Sequence, residues 1–174
     1  SEHKIAVLVA SGEIIDGEYL EGAISSENFL RVLNRINQDK SIKGLLLRIN
    51  SPGGSGFASE VIRRRLEVLS KNIPIVISMA DIAASGGYWI SMNKNKIIAN
   101  PFTLTGSIGV WAALPNFKNS LENIGILFDQ ISTNELNISL LEPPNENLST
   151  FMQSYVDGSY DKFIKLVSNN RNLT

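Results

Sequence analysis

Short apolar runs alternate along this chain with longer stretches in which apolar side chains return every three or four positions. Residues 4–10, 42–49 and 75–79 are rich in Ile, Val and Leu with little alternation, the mark of strands buried in a parallel sheet. Residues 96–99, 107–112 and 127–132 are shorter strand candidates. Between them, Phe29, Leu30, Leu33 and Ile36 share one face of a helix that Ser25 or Ser26 can cap, and Ala58, Val61, Ile62, Leu66 and Leu69 line a second helix over 57–71. A third helix starts at 88–92, and a fourth covers 116–123 and ends at Gly125. A long amphipathic helix carries Leu148, Phe151, Met152, Tyr155, Val156, Phe163, Ile164 and Val167, interrupted at Gly158; so wide a stripe must pack on the sheet or on another subunit. Residues 12–22 read as a polar loop and 133–144 as an irregular segment. Repeated strand–helix alternation predicts an α/β fold, a mostly parallel sheet with flanking helices, with 1–174 as one domain.

Two of the strand-to-helix junctions are made of small residues. The strand at 75–79 leads into Ala83, Ala84, Ser85, Gly86 and Gly87. A sharp turn with small neighbours exposes a serine hydroxyl beside the free first N–H groups of a helix, which is the logic of a nucleophile elbow. The same residues equally fit a helix N-cap with glycines for close packing. The strand at 42–49 leads into Asn50, Ser51, Pro52, Gly53 and Gly54, a turn whose N–H groups can face an anion or simply connect strand to helix. Acyl transfer needs such donors where the oxyanion develops, and the N–H of Gly86, the residue after the serine, is a frequent one. Ile82, Tyr88 and Trp111 are candidates to contact substrate, and core packing explains them as well. Ser107, in a third small-residue stretch, reads as a tight turn before a strand.

Composition narrows the chemistry. The 174 residues suffice for one domain with a core. A formal net charge of −1 gives no reason to expect nucleic acid or electrostatic membrane binding. The run Arg63, Arg64, Arg65 reads as a solvated helix face. With no cysteine, disulfides and thiol catalysis are excluded; with a single histidine and no clustered carboxylates, neither a metal nor a cofactor is called for. His3 is the only histidine, so a Ser-His-Asp triad is not available, and a base for Ser85 must be a lysine.

The order strand, Asn50-Ser51-Pro52-Gly53-Gly54, helix, strand, Ala83-Ala84-Ser85-Gly86-Gly87, helix, then Thr103 to Gly109, resembles the signal peptide peptidase A family, also called protease IV. It is more distantly similar to the proteolytic subunit of the Clp protease and to the crotonase fold. The resemblance is to the serine-bearing C-terminal half of the long, two-repeat bacterial form. It implies a ClpP/crotonase-like fold and a Ser-Lys peptidase that degrades cleaved signal peptides, with Ser85 as nucleophile and the N–H of Gly54, from the family's Pro-Gly-Gly turn, joining that of Gly86 as oxyanion donor. It also implies a homo-oligomer on the periplasmic side of the bacterial inner membrane, anchored by a segment outside this chain, which is then a piece of a longer protein. The family's lysine falls in a segment matching 132–137, on or near Leu136 here, so the resemblance implies a base from the missing N-terminal half. Lys43, Lys71, Lys94 and Lys96 are the local alternatives. A silent oligomerisation module of the same fold and a crotonase-type acyl-CoA enzyme are the competing functions; Ser85 in its small-residue setting speaks for the protease.

Overall fold

A computed structural model describes residues 3–18, 20–93, 95–129, 131, 133 and 139–173. In chain order the elements are β1 (Lys4–Ser11), β2 (Glu13–Ile15), β3 (Ala23–Ser25), α1 (Ser26–Gln38), β4 (Ile42–Ser51), α2 (Gly56–Ser70), β5 (Ile75–Ala84), α3 (Gly86–Ile90), β6 (Lys96–Ile98), β7 (Leu104–Gly106), α4 (Lys118–Glu122) and α5 (Glu146–Arg171). They fall into two compact units. The first holds residues through Gly109 and again from Phe163; the second holds 110–162, and α5 runs from the second into the first.

The first unit is built on a parallel sheet ordered β1-β4-β5-β6. β6 pairs with the first half of β5, and β7 pairs with its last three residues, Ile82, Ala83 and Ala84. Phe29, Leu33 and Ile36 of α1 and Ala58, Ile62, Leu66 and Leu69 of α2 pack on Leu45, Leu47, Ile49, Ile75 and Ile77. Burying such side chains stabilises the unit by about 1.5–3 kcal/mol each. Ser25 caps α1 by accepting from the Asn28 N–H, and Ser26 instead bonds Asp16 and Gly17. Ser55 caps α2.

Four expectations about strands and loops change. β1 is not buried on both faces: it is an edge strand, and Ile5, Val7 and Val9 are exposed because α1 and α2 cover only one face of the sheet. The loop at 12–22 contains β2, which pairs in parallel with β3. No strand forms over 107–112. Gly106 and Ser107 both turn to positive φ, and β5 ends at Ala84, so the chain beyond β7 has nothing to pair with. Residues 127–129 are not a strand either, while Gln130 and Ser132 lie outside the described residues.

The long helix runs through Gly158 without a break. Its end packs by Phe163 and Val167 on Met92, with Tyr88, Trp89 and Ile97 alongside. In the second unit, Leu148 is the one buried side chain among the described residues, and Trp111, Ile124, Leu127 and Ile131 are exposed.

Candidate active site

β5 delivers Ser85 at the carboxyl end of the parallel sheet, where such folds place ligands. Ser85 sits at φ 50°, ψ −118°, a left-handed conformation that costs a non-glycine residue about 1–3 kcal/mol. The turn is held at both ends. The Ser85 N–H donates to the Gly106 carbonyl at 2.9 Å, and the Ser85 carbonyl accepts the Trp89 N–H at 2.8 Å. Ser85 occupies the N-cap position of α3 but makes no capping bond, and its hydroxyl has no hydrogen-bond partner among the described residues. The capping reading of this serine therefore has no bond to rest on.

The second turn leaves β4 through Ser51, Pro52, Gly53 and Gly54. The Gly53 N–H donates to Ser51 Oγ at 3.2 Å. The Gly53 carbonyl accepts the Ile14 N–H at 2.7 Å, and the Ser55 N–H donates to the Ile14 carbonyl at 2.8 Å, so β2 clamps this turn. A clamp through Gly53 O and Ser55 N leaves the Gly54 N–H without a partner among the described residues. The Gly86 N–H, first in α3, also has none.

The two turns touch. A Cβ placed on Gly53 would lie 2.7 Å from Ser85 Cβ and 2.8 Å from the Gly86 nitrogen; one placed on Gly86 would lie 3.3 Å from the Gly54 nitrogen. Glycine is required at Gly53 by this approach, and at Gly86 by the Ser59 hydroxyl, which a Cβ there would meet at 2.5 Å. Gly87 is equally constrained, since its Cβ would meet the Ser51 carbonyl at 2.8 Å. The turn carrying Ser85 and Gly86 and the turn carrying Gly53 and Gly54 thus lie against each other at the carboxyl end of the sheet, and among the described residues the Ser85 hydroxyl and the Gly54 and Gly86 N–H groups make no hydrogen bond, groups of the kind that attack a carbonyl and receive its oxygen.

Of the other predicted residues, Ile82 and Tyr88 flank Ser85 in the chain and are half-buried, and the Ile82 N–H donates to Asn50 Oδ1 at 3.2 Å. Trp111 belongs to the second unit, where it is exposed. Leu136 and Lys94 lie outside the described residues. His3, Lys4, Lys43 and Lys96 stand at the starts of β1, β4 and β6, and Lys71 closes α2 before β5 begins. In a parallel sheet that is the end opposite Ser85. Lys118 is salt-bridged to Glu142 at 3.0 Å in the second unit, and that hydrogen bond raises its pKa, the wrong direction for a base. Among the described residues no cluster of His, Cys, Asp or Glu could hold a metal ion, and no helix is long and apolar enough to cross a membrane.

The arginine run is not a solvated face throughout. Arg63 is buried and pairs with Glu60 at 2.7 Å and Glu67 at 3.0 Å. Glu60 also accepts from Arg64 at 2.7 Å and from the Trp89 indole N–H at 2.8 Å. Burial pushes the Glu60 carboxyl up, but the bonds from Arg63, Arg64 and Trp89 outweigh it and bring it down to about 2. The spacing of Glu60, Arg63, Arg64 and Glu67 at three and four residues was the legible signal for this network.

Comparison with known proteins gives the chain's family and its fold likeness. Residues 67–174 match peptidase family S49. The chain is 44% identical to Protease 4 of Haemophilus influenzae over 99% of its own length and 28% of that protein. It is 36% identical to a putative signal peptide peptidase SppA of Enterococcus faecium, over 99% of this chain and 52% of that one. The chain thus spans between about a quarter and a half of these relatives' lengths. A ClpP1 structure from Listeria monocytogenes superposes with a TM-score of 0.58 at 13% identity, over 97% of this chain and 73% of that one, a likeness of fold.

Proposed function

Because this chain belongs to peptidase family S49, we propose that it carries the nucleophilic half of a split Ser-Lys site. Ser85 is the nucleophile, and the Gly54 and Gly86 N–H groups are the oxyanion donors. The lysine base comes from a segment outside the described residues, in the N-terminal half of a longer protein. The observation that carries the reading is the Ser85 hydroxyl, without a partner among the described residues, in a strained turn packed against the turn of Gly53 and Gly54, where the Gly54 and Gly86 N–H groups also have no partner among the described residues.

In this scheme a neutral lysine takes the Ser85 proton as Oγ bonds to the peptide carbonyl carbon. The carbonyl electron pair moves onto oxygen, where the two N–H groups receive it. The lysine then returns the proton to the leaving amine as the C–N bond breaks, and water hydrolyses the acyl-enzyme. A serine without a base keeps its proton, and every described lysine of the first unit's sheet stands at the far end.

Released signal peptides are the substrate class, on the strength of the peptidase relatives, with Ile82 and Tyr88 contacting the peptide. Assembly into a homo-oligomer, anchored to the periplasmic side of the inner membrane by a segment outside this chain, completes the proposal. The exposed Trp111, Ile124, Leu127 and Ile131 of the second unit support an interface there. The position of the lysines also favours a second reading, a silent assembly module.

The test is peptide hydrolysis by the purified 174-residue chain and by the full-length protease, each beside its Ser85→Ala variant. The chain alone should be inactive or nearly so, and the full-length protein should turn over only with Ser85 present. Ser85-dependent turnover by the chain alone would overturn the split site. Turnover that survives Ser85→Ala would overturn the nucleophile, and an inert full-length protein would leave the assembly module.

A further inference from the structure

We propose that Trp89 and Glu60 are positioning residues for the Gly86 oxyanion donor, an inference that rests on the peptidase reading above. The Gly86 N–H and the Ser85 carbonyl belong to one peptide group, which is planar, so whatever fixes the carbonyl fixes the direction of the N–H. The Trp89 main-chain N–H fixes it, through its 2.8 Å bond to the Ser85 carbonyl. But α3 has only five residues, too few to hold its own geometry by hydrogen bonds along the helix. Its seat has to come from outside.

The Trp89 side chain supplies that seat. Its indole N–H donates to Glu60 Oε2 at 2.8 Å, and its ring packs on Phe163 with centroids 4.5 Å apart. Glu60 lies in α2, the helix that begins just after the Gly54 turn. Arg63 and Arg64 hold the Glu60 carboxylate from its own helix, at 2.7 Å each. The Arg63 guanidinium in turn reaches Glu67, and Asn93 at 3.5 Å, whose amide donates to the Ile90 carbonyl at the end of α3. The helices that follow the two donor turns are therefore joined twice: at the turns, where Gly53 and Gly86 touch, and about one helical turn further on, by the Glu60–Trp89 bond. Two points of attachment fix the angle between the donors as well as their separation. A salt-bridged carboxylate also keeps accepting from the indole at any working pH.

The test is steady-state peptide hydrolysis by the full-length protease. Trp89→Phe removes the indole N–H and keeps a ring against Phe163. It should lower kcat roughly tenfold to a hundredfold, as misplacement of a catalytic group does, with KM changed less than about twofold. Glu60→Met should lower kcat similarly, and Glu60→Gln, which keeps an oxygen for the indole, should recover part of that loss. A merely structural role would instead lower the amount of active enzyme, counted by covalent titration of Ser85, and leave kcat per active site unchanged. Unchanged kcat per active site in Trp89→Phe overturns the inference; if that variant does not fold, equal kcat in Glu60→Met and Glu60→Gln overturns it. Ser85→Ala run in parallel tests the peptidase reading separately, because a protein still active without Ser85 fails there whatever Trp89 does.

Discussion

The Ser85 N–H donates to the carbonyl of Gly106, and so the strained serine is tied to the last residue of β7. β7 has only three residues, yet it pairs with Ile82, Ala83 and Ala84, the final residues before the turn. Thr103 and Thr105 strengthen the tie by donating their hydroxyls to the Ala80 and Ala83 carbonyls at 2.7 and 2.8 Å. Gly106 itself adopts φ 85°, and a Cβ there would meet nothing within 4 Å. Gly106→Ala is thus strained by its backbone alone. It should cost about 1–2 kcal/mol, read as a lower melting temperature of the purified chain. An unchanged melting temperature would mean that β7 yields easily and does not brace Ser85.

The Ser85 conformation predicts a trade of stability against activity. Glycine adopts φ near +50° freely, whereas alanine does not. Ser85→Gly should raise the unfolding free energy by about 1 kcal/mol over the parent, while Ser85→Ala should not. Both should be inactive in the full-length protease. Denaturant titration of the three proteins checks the order, and equal stability of the two variants would show that the turn is relaxed.

Gly53 and Gly158 should respond in opposite directions to the same added methyl. At Gly53 the φ is 112° and the methyl would sit between Ser85 Cβ and the Gly86 nitrogen, so the two turns must part. Gly53→Ala should lower kcat of the full-length protease by roughly a hundredfold or more, because one donor leaves its place. Gly158 lies exposed within α5 with nothing near its Cβ. Gly158→Ala should stabilise by roughly 0.5–1 kcal/mol, measured by thermal unfolding, and leave turnover unaltered.

The Glu60 carboxyl predicts one component of acid unfolding. Its folded pKa is depressed from 4.5 to about 2. The unfolded state therefore binds the proton first, and the stabilisation is present above the unfolded value and lost as pH falls from there through about 2. Allowing for solvent screening of a partly exposed group, it amounts to about 1–2 kcal/mol. Glu60→Gln should flatten the stability profile between about pH 5 and pH 2 relative to the parent; coincident profiles would refute the assignment.

Much of the fold was legible because it is set by local pattern. The strands at 42–49 and 75–79, the helix stripe through Ala58, Ile62, Leu66 and Leu69, and the small residues around Ser85 all declare themselves within a few positions of chain. The exposed face of β1 did not, since Ile5, Val7 and Val9 carry the composition of a buried strand, and only the sheet order puts them at an edge. The strand read at 107–112 failed for the same reason: its side chains suit a strand, but pairing requires a neighbour, and β5 has already ended.

By itself, then, the sequence determined which residues could do the chemistry. Ser85 and the glycines at 53, 54 and 86 are identities, and no other histidine or any cysteine competes with them. Only the tertiary structure decided that the two turns meet, because Gly54 and Gly86 lie more than thirty residues apart and are brought together by parallel β4 and β5 ending at the same edge. It also decided what Arg63 is. Read along the chain it is one of three exposed charges, but the short helix that follows Ser85 packs beside it, and burial turns a solvated arginine into one that must be paired.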